Sequence, residues 1–414
     1  MDKRLQISVI IVNYNAHGYI LLTLEAVFRA VKNFTAEVIV VDNASSDGSV
    51  GQISQYYPQT TIIQNPRNAG FAAANNIGLR RARGDFLLLL NPDTMVPEDI
   101  FELLLEFMNQ TPDAGVAGCK ILNADGSFSV DSRHSVPSPM TALWKQLGFN
   151  RLFPKSKIFG RYNLTYLDPD KTYPVDAISG SFMLLRRQVI EQAGLLDEEF
   201  FMYGEDLDYC YRINQTAWKV YYYAGTAILH YKGESTNKNA FGYSWNFSRS
   251  LFLFYRRHFH YHFSFLMHGI VLLGVILRSM LVFLKNNIKN IFMVIRHGLD
   301  KFRTAEKKMI WIGSIKGLQD SRAMLKSSEY QISGIISAGP PDGSVLDIPV
   351  LGDIQKINEL IPPTGRHDLI FDADAKALSF KSIISTMSIL RKWKMNYRIF
   401  LAGKNILIGK SSKF

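Results

Sequence analysis

The chain has 414 residues, of which 47% are hydrophobic and 20% charged, and this balance excludes a disordered protein and a small disulfide scaffold. Its length accommodates two or three domains, each with its own core. Only two cysteines are present, Cys119 and Cys210, and their spacing fits neither a metal knuckle nor a disulfide framework, so we expect a reducing compartment.

The net charge of +11 is concentrated in one apolar segment, where eleven lysines and arginines accompany two acidic residues between Arg249 and Lys308. Such a segment favours an anionic membrane surface, and since no RNA-binding or helix-turn-helix pattern accompanies it, we expect no nucleic-acid partner. Within it, Phe263–Leu284 is 22 residues long but contains Arg278. We therefore expect helices that lie on the membrane face; a transmembrane span and a soluble hairpin are the alternatives.

The first part of the chain alternates strands with helices. Ile7 to Val12 and Val38 to Val41 are apolar, β-branched runs separated by an amphipathic helical stretch. This order predicts a parallel sheet, in which ligands bind beyond the carboxyl ends of the strands. Asp42 follows the second strand, where its carboxylate can accept a hydrogen bond from a base or a ribose hydroxyl. A turn aspartate that caps the next helix is the alternative.

Two further predicted strands also end in polar turns. Thr61–Gln64 leads into an asparagine-containing turn and a helix of small residues, which can approach a ligand closely. The strongest strand, Asp85–Leu90, runs into Asn91 and then Asp93. A divalent cation that bridges diphosphate oxygens needs only one or two protein carboxylates, so Asp93 is a candidate metal ligand. A plain turn aspartate is the alternative.

An acidic helix start lies further along the chain, in the sequence FFMYGEDLDYCYR. Three carboxylates, Glu205, Asp206 and Asp208, follow Gly204 directly. A glycine and an acidic first turn indicate a helix N-terminus, whose partial positive charge keeps nearby carboxylates ionised. That environment suits a general base; an ordinary acidic N-cap is the alternative.

Five ordered motifs over about the first 250 residues carry a family resemblance; they read SVIIVNYN, VVDNASSDGS, NPRNAGFAAANNIGLRRARGDFLLLLNPDT, SGSFMLLRR and YGEDLDYCYR. With them the chain resembles the family 2 glycosyltransferases, and more narrowly their bacterial rhamnosyltransferase-like branch. The resemblance implies an α/β GT-A fold with a mixed sheet, a nucleotide-diphosphate sugar donor, a divalent cation (Mg or Mn) and an inverting mechanism.

The resemblance also assigns site residues, and the donor-binding ones that it implies are Asn13, Asp42, Asn76 and Asp93. Asp93 would hold the metal as the last member of the family's DxD motif, together with His230. Asn91 stands where that motif usually has its first acid, which leaves the cation with one carboxylate fewer. For His230, a strand-end histidine in a satisfied core is the alternative.

On the acceptor side, Asp206 matches the family's catalytic base, which removes the proton of the attacking hydroxyl. Glu205 and Asp208 would contact the acceptor, or one of them would act as the base instead. The long segment Leu122–Pro174 would frame the acceptor pocket. The small residues around Gly180 would allow the donor diphosphate or the acceptor to approach closely.

Beyond Lys308, strands and helices alternate again and predict a second, small parallel sheet. This part resembles the Rossmann-like domain found ahead of bacterial polyprenyl-sugar phosphotransferases. The stretch Gly313–Gly317 is not GxGxxG, so we expect scaffolding, regulation or assembly in place of cofactor chemistry. The predicted domains are a GT-A domain over 1–250, membrane-associated helices over 251–307 and a Rossmann-like domain over 308–414.

The sequence thus predicts an inverting glycosyltransferase that moves a hexose, with L-rhamnose from dTDP-L-rhamnose as the candidate, to a lipid-linked or polysaccharide acceptor in cell-surface glycan synthesis. The expected location is the cytoplasmic face of the bacterial inner membrane, with peripheral or monotopic attachment. A non-catalytic nucleotide-sugar-binding assembly subunit is the main alternative, suggested by Asn91. A nucleotidyltransferase, which would release pyrophosphate, is the second alternative. A processive polymerase is not expected, because no QxxRW-type signature occurs.

Overall fold

Two β-sheets with flanking helices organise the chain, as seen in a computed structural model. The structure describes residues 5–232, 240–259, 269, 276, 308–326, 331–337, 348–361, 368–374, 378–393 and 395–409. The predicted membrane-associated stretch Phe263–Leu284 lies outside these residues, apart from positions 269 and 276. In the described parts, no helix is long and apolar enough to cross a bilayer.

The first eleven strands belong to the larger domain. They are β1 Ile7–Asn13, β2 Ala36–Asp42, β3 Thr61–Gln64, β4 Phe86–Leu90, β5 Thr94–Met95, β6 Ala114–Asn123, β7 Arg133–His134, β8 Tyr173–Val175, β9 Ala177–Ile178, β10 Phe182–Arg186 and β11 Lys219–His230. Nine of them form one sheet in the order β3-β2-β1-β4-β10-β6-β11-β5, with β8 added beside β11, while β7 and β9 pair separately. The first four strands run parallel, whereas β10 is antiparallel to both of its neighbours. The predicted α/β class with a mixed sheet is confirmed.

Nine helices are described in the same part of the chain. They are α1 Tyr19–Ala30, α2 Ser49–Tyr56, α3 Phe71–Arg81, α4 Ile100–Gln110, α5 Pro139–Leu147, α6 Phe149–Leu152, α7 Arg187–Ala193, α8 Glu205–Asn214 and α9 Ala240–His258. All residues of β1 are buried, because α1 and α4 cover one face of the sheet and α3 and α8 cover the other. Helix α9 continues across the predicted domain boundary at residue 250.

A second sheet follows, as the strand and helix alternation after Lys308 predicts. Its elements are β12 Lys308–Gly313, α10 Ile315–Lys326, β13 Gln331–Ser337, β14 Val350–Asp353, α11 Ile357–Leu360, β15 Asp368–Asp372, α12 Phe380–Leu390, β16 Asn396–Leu401 and β17 Ile406–Gly409. The strand order is β14-β13-β12-β15-β16-β17, and every pair is parallel except the last.

The second domain packs against α1 and the start of α4, and buried apolar residues of both domains form one continuous cluster. The Arg29 guanidinium lies 4.5 Å from the centroid of the Phe380 ring, and its Nη2 donates to the carbonyl of Ala373 at 2.6 Å. Glu98 accepts hydrogen bonds from the amides of Phe380 (2.7 Å) and Lys381 (3.0 Å). A carboxylate of one domain therefore caps the N-terminus of α12 in the other.

This shared core predicts that the two domains unfold together. Phe380→Ala removes a fully buried ring at the contact and lowers the free energy of unfolding by about 3 kcal/mol, as large-to-small core substitutions do. Ile389→Ala on the same helix, where the side chain is 47% exposed, is the matched control and changes it by about 0.5 kcal/mol or less. Thermal unfolding measures both; a separate early transition in the unsubstituted protein would show that the domains are not coupled.

Candidate active site

The carboxyl ends of β1, β2 and β4 meet at one edge of the sheet. Asn13 at the end of β1 pairs in register with Asp42 at the end of β2, and Ile11 pairs with Leu90 at the end of β4. Polar side chains that follow these strands are therefore brought to the same edge, where parallel α/β sheets bind their ligands.

The first polar group at this edge is a buried hydrogen-bond network around Asn13 and Asp42. The Asn13 Nδ2 atom lies 2.7 Å from Asp42 Oδ1 and 2.9 Å from Ser49 Oγ, and the Ser45 amide donates to Asp42 Oδ2 at 3.0 Å. Asp42 thus binds the turn after β2, but it does not cap α2 as the alternative supposed, because the Ser49 amide donates to Asp47 and the N-cap Gly48 has no side-chain cap. The network fixes the Asp42 carboxylate in one orientation at the edge where a nucleotide is expected.

Asn76, a predicted donor contact, instead ties α3 to the segment before α8. Its Nδ2 donates to the carbonyl of Leu196 (2.8 Å) and to Glu198 (2.9 Å), and its Oδ1 accepts from the Leu196 amide (3.0 Å). Both ends of this buried amide are engaged, which favours a structural role. Donor contact by Asn76 stays an untested prediction.

Asp93 and His230 come together across the sheet. Strand β11 pairs with β5 so that His230 lies opposite Thr94, and His230 Nε2 is 3.1 Å from Asp93 Oδ1. The side-chain nitrogen of Asn91 lies 3.3 Å from the same imidazole nitrogen. An imidazole, a carboxylate and an amide therefore converge on one point.

The donor set fits a divalent cation whose other ligands are phosphate oxygens and water. Asn91 Oδ1 is buried and has no hydrogen-bond partner among the described residues. His230 Nδ1 is also buried without one, but it lies on the opposite side of the ring from the Nε2 atom that faces Asp93. A polar atom buried without a partner is costly, and a ligand would relieve that cost. Across the described ranges, no group of three or more histidines, cysteines and acids is placed to hold a metal ion.

Asp206 lies beside the glycine that precedes β10. Its Oδ2 accepts from the Gly180 amide at 3.0 Å and its Oδ1 accepts from the Leu207 amide at 2.8 Å. The neighbouring Ser181 carbonyl accepts from the Asn91 amide at 3.0 Å, which joins this loop to the end of β4. Asp206 thus lies directly against Gly180, and the approach of the donor diphosphate or the acceptor at this glycine stays a prediction.

Glu205 and Asp206 are adjacent carboxyl groups whose pKa values are both raised. Burial, together with the charge of Asp206, raises the pKa of Glu205 well above its ordinary value. Burial also raises the pKa of Asp206, although the amides of Gly180 and Leu207 and the charge of Lys145 act in the opposite direction. A carboxylate with a raised pKa is a stronger proton acceptor near neutral pH, which is what a general base requires.

Asp208, the third carboxylate of the motif, is fully buried in an ion cluster. Its Oδ2 accepts from Arg212 Nε at 2.8 Å, and its Oδ1 lies 2.6 Å from His258 Nε2 on α9. The contact with Arg212 lies within α8, and the contact with His258 joins α8 to α9. These contacts favour a structural role, and acceptor contact by Asp208 stays a prediction.

Sequence reasoning missed several ionisable residues of the Leu122–Pro174 segment. Lys145 on α5 lies 3.6 Å from Asp131 and 4.0 Å from the ring centroid of Tyr162, and burial lowers its pKa. Burial also lowers the pKa of His134 to about 3, so its ring is neutral near pH 7. No periodic pattern marks these residues, because their burial depends on how the segment folds over itself.

The raised pKa of Glu205 makes a prediction about stability. A folded-state pKa above the unfolded value of about 4.5 gives stability that is present below that pH and is lost as the pH rises through the folded value. Glu205→Gln removes the buried charge, so it raises the melting temperature more at about pH 8 than at about pH 5. Thermal unfolding at the two pH values checks this, with the exposed Glu106→Gln as the control; an equal shift at both would contradict it.

Comparisons with known proteins agree with this geometry. Residues 8–194 match the family model described as Glycosyl transferase family 2. The chain is 28% identical over 213 residues to the N-acetylglucosaminyl-diphospho-decaprenol L-rhamnosyltransferase of Mycobacterium tuberculosis, covering 49% of this chain and 68% of that protein. It is 26% identical over 234 residues to rhamnosyltransferase WbbL of Escherichia coli K12, covering 54% and 83%.

Among solved structures, the chain is similar to S. aureus TarS 1-349, with a TM-score of 0.41, 16% identity and coverage of 66% of this chain and 71% of that one. The family model ends at residue 194, and each of the two relatives matches about half of this chain. The matched domain and the relatives support the family 2 branch of the GT-A enzymes, and the chain is a glycosyltransferase.

Proposed function

We propose that the protein is an inverting glycosyltransferase that transfers a sugar, with L-rhamnose as the candidate, from a nucleotide-diphosphate donor to a lipid-linked or polysaccharide acceptor in cell-surface glycan synthesis. The two rhamnosyltransferase relatives support the sugar, and the decaprenol in the name of the mycobacterial one supports a lipid-linked acceptor. One observation carries the proposal: the Asn91 and Ser181 backbones pair, and so bring the Asp93 and His230 pair to the same sheet edge as Asp206.

In this proposal Asp206 removes the proton of the acceptor hydroxyl while that oxygen attacks the anomeric carbon from the face opposite the leaving diphosphate. Its two amide hydrogen bonds hold the carboxylate in place, so that little reorganisation is needed. The buried Lys145 on the acceptor side limits the rise in the pKa of Asp206.

Asp93 and His230, with the Asn91 amide beside them, would hold a Mg or Mn ion. Such an ion would neutralise the charge that develops on the leaving diphosphate. Asp42 and Asn13 would orient the nucleotide at the neighbouring strand ends. For location, we propose peripheral or monotopic attachment at the cytoplasmic face of the bacterial inner membrane, supported by the basic, apolar character of Arg249–Lys308.

We infer that the second domain is Rossmann-like, since its own strands follow the 3-2-1-4-5-6 order of dinucleotide-binding folds. The place where such folds hold a diphosphate is filled by the domain's own Asp372. The Asp372 carboxylate accepts from Ser314 Oγ at 2.8 Å and from the Ser314 amide at 3.3 Å, and it lies directly against Gly317. This self-filled loop supports a scaffolding or assembly role over cofactor chemistry.

Asp206→Asn tests the proposed chemistry. Loss of a general base lowers kcat by about 10²- to 10⁴-fold, while donor binding is retained because the amide keeps the shape of the side chain. Nucleoside diphosphate release from dTDP-, UDP- and GDP-sugars, with membrane lipid extract as acceptor and with or without Mg²⁺ or Mn²⁺, measures the loss. Undiminished release would assign the base elsewhere. Donor binding without release in the unsubstituted protein would favour the assembly subunit, and pyrophosphate release would favour the nucleotidyltransferase.

The cation site is tested by direct binding. In the presence of a nucleoside diphosphate, Asp93→Asn weakens Mn²⁺ binding by at least about tenfold, the lower end of what metal sites lose even with an outer partner. Asn91→Asp adds a second carboxylate and strengthens Mn²⁺ binding. Mn²⁺ titration followed by electron paramagnetic resonance measures the affinity of both variants, with the exposed Asp170→Asn as control. Identical titrations for all three variants would show that the cation binds elsewhere.

A further inference from the structure

The segment between β7 and β8 exposes an unusual number of large apolar side chains. They are Met140, Leu152, Phe153 and Ile158, which are 46%, 68%, 51% and 66% exposed. Scattered exposed apolar residues are ordinary, but a contiguous group on a soluble domain marks a surface that contacts something else. We call these four residues, with the cations described below, the insertion surface.

A packed aromatic cluster holds these side chains in place. The Trp144 ring lies 5.4 Å from the Phe149 ring and 5.2 Å from the Phe159 ring, measured between centroids. Phe153 packs at 5.4 Å against the same Phe159 ring, although half of its own surface is exposed. Leu152 and Ile158 are the chain neighbours of Phe153 and Phe159. The aromatic cluster therefore holds the exposed apolar side chains in a preformed arrangement.

The charge around this surface has a single sign. Residues 138–167 contain five lysines and arginines and no aspartate or glutamate. Lys145 pairs with Asp131, whereas Arg151, Lys155, Lys157 and Arg161 are exposed and lie within three residues of Leu152, Phe153 or Ile158 along the chain. Exposed apolar side chains surrounded by cations match the boundary of an anionic bilayer, where the cations meet phosphates and the apolar groups enter the acyl region. Contact with a second copy would bring the same cations together and is disfavoured.

The same segment reaches the candidate catalytic base. Strand β7, at the start of the segment, pairs with β9, and Gly180, two residues after β9, donates its amide to Asp206 at 3.0 Å. The charge of Lys145, which lies on α5 with Met140, lowers the pKa of Asp206. The Tyr255 hydroxyl donates to the Pro137 carbonyl at 2.6 Å, which joins the start of the segment to α9, the helix that leads toward the basic, apolar part of the chain. A bilayer against the insertion surface would therefore lie on the acceptor side of the site.

We propose that the insertion surface docks onto an anionic lipid bilayer and so presents Asp206 to an acceptor carried by that membrane. The part that concerns the acceptor rests on the proposed function, whereas bilayer contact itself does not. This contact is additional to any made by the segment Arg249–Lys308, and it places the membrane against the acceptor loop.

A single fluorescent label tests the contact. Cys119 and Cys210 are buried, so Ile158→Cys can be labelled selectively with an environment-sensitive nitrobenzoxadiazole group in the folded full-length chain. With vesicles of phosphatidylcholine that contain about one third phosphatidylglycerol, we expect a blue-shifted, stronger emission that lipid-borne quenchers reduce. The matched control, Ile389→Cys on the second domain, gives no change, because that exposed side chain lies outside the surface.

The result does not depend on sugar transfer, because no donor is present. If the protein co-sediments with the vesicles while the Ile158 label is unchanged, or both labels change alike, the insertion surface does not contact the bilayer. Failure to bind the vesicles at all overturns the proposal as well. An emission change that follows protein concentration without vesicles would assign the surface to self-association.

A charge variant gives an independent measurement. Lys155→Gln with Lys157→Gln lowers the partition coefficient onto the anionic vesicles by about fivefold per lysine, since each surface cation contributes about that much. Lys316→Gln with Lys356→Gln removes the same charge from exposed positions of the second domain and leaves the partition coefficient unchanged. If both double variants lowered the partition coefficient equally, net charge alone would account for the attraction, and the proposal of a local docking surface would be overturned.

Discussion

The antiparallel pairing of β10 with β4 is the constraint on which the candidate site depends. Leu90 lies opposite Phe182, and the next residue, Asn91, donates its amide to the Ser181 carbonyl. Gly180, one residue further, donates to Asp206. These hydrogen bonds place Asp93 and His230, which would hold a cation, at the same edge of the sheet as Asp206, which would accept a proton.

The acidic motif costs stability, and its own helix offsets part of that cost. Two residues with left-handed backbone, Tyr203 (φ 69°) and Gly204 (φ 84°), precede α8 and direct it so that Glu205 is buried and Asp206 is partly buried. Strain and buried charge of this kind are typical of functional sites. One turn further, the contacts of Asp208 with Arg212 and His258 anchor the helix, so the same motif supplies both the reactive group and its support.

The sequence predicted the framework well, because buried strands bounded by polar turns carry a local signal. The run Ile7–Val12 became β1 with one residue added, Asp42 is the last residue of β2, and Asp93 follows β4. The burial of Lys145 had no such signal, since a lysine on an amphipathic helix resembles a surface residue. The hydrogen bonds of the Asn76 and Asp208 side chains could not be predicted either, because partners such as Leu196 and His258 lie far away along the chain.

The second domain makes contact with the end of the strand that carries His230. The Tyr19 hydroxyl donates to the Gly409 carbonyl of β17 at 2.6 Å, and the Tyr19 ring packs 5.0 Å from the ring of Tyr231. Tyr231 follows His230 directly, and its amide donates to the Asp93 carbonyl at 3.0 Å. Through this pair of tyrosines, the second domain is in contact with the end of β11, where Asp93 and His230 lie together.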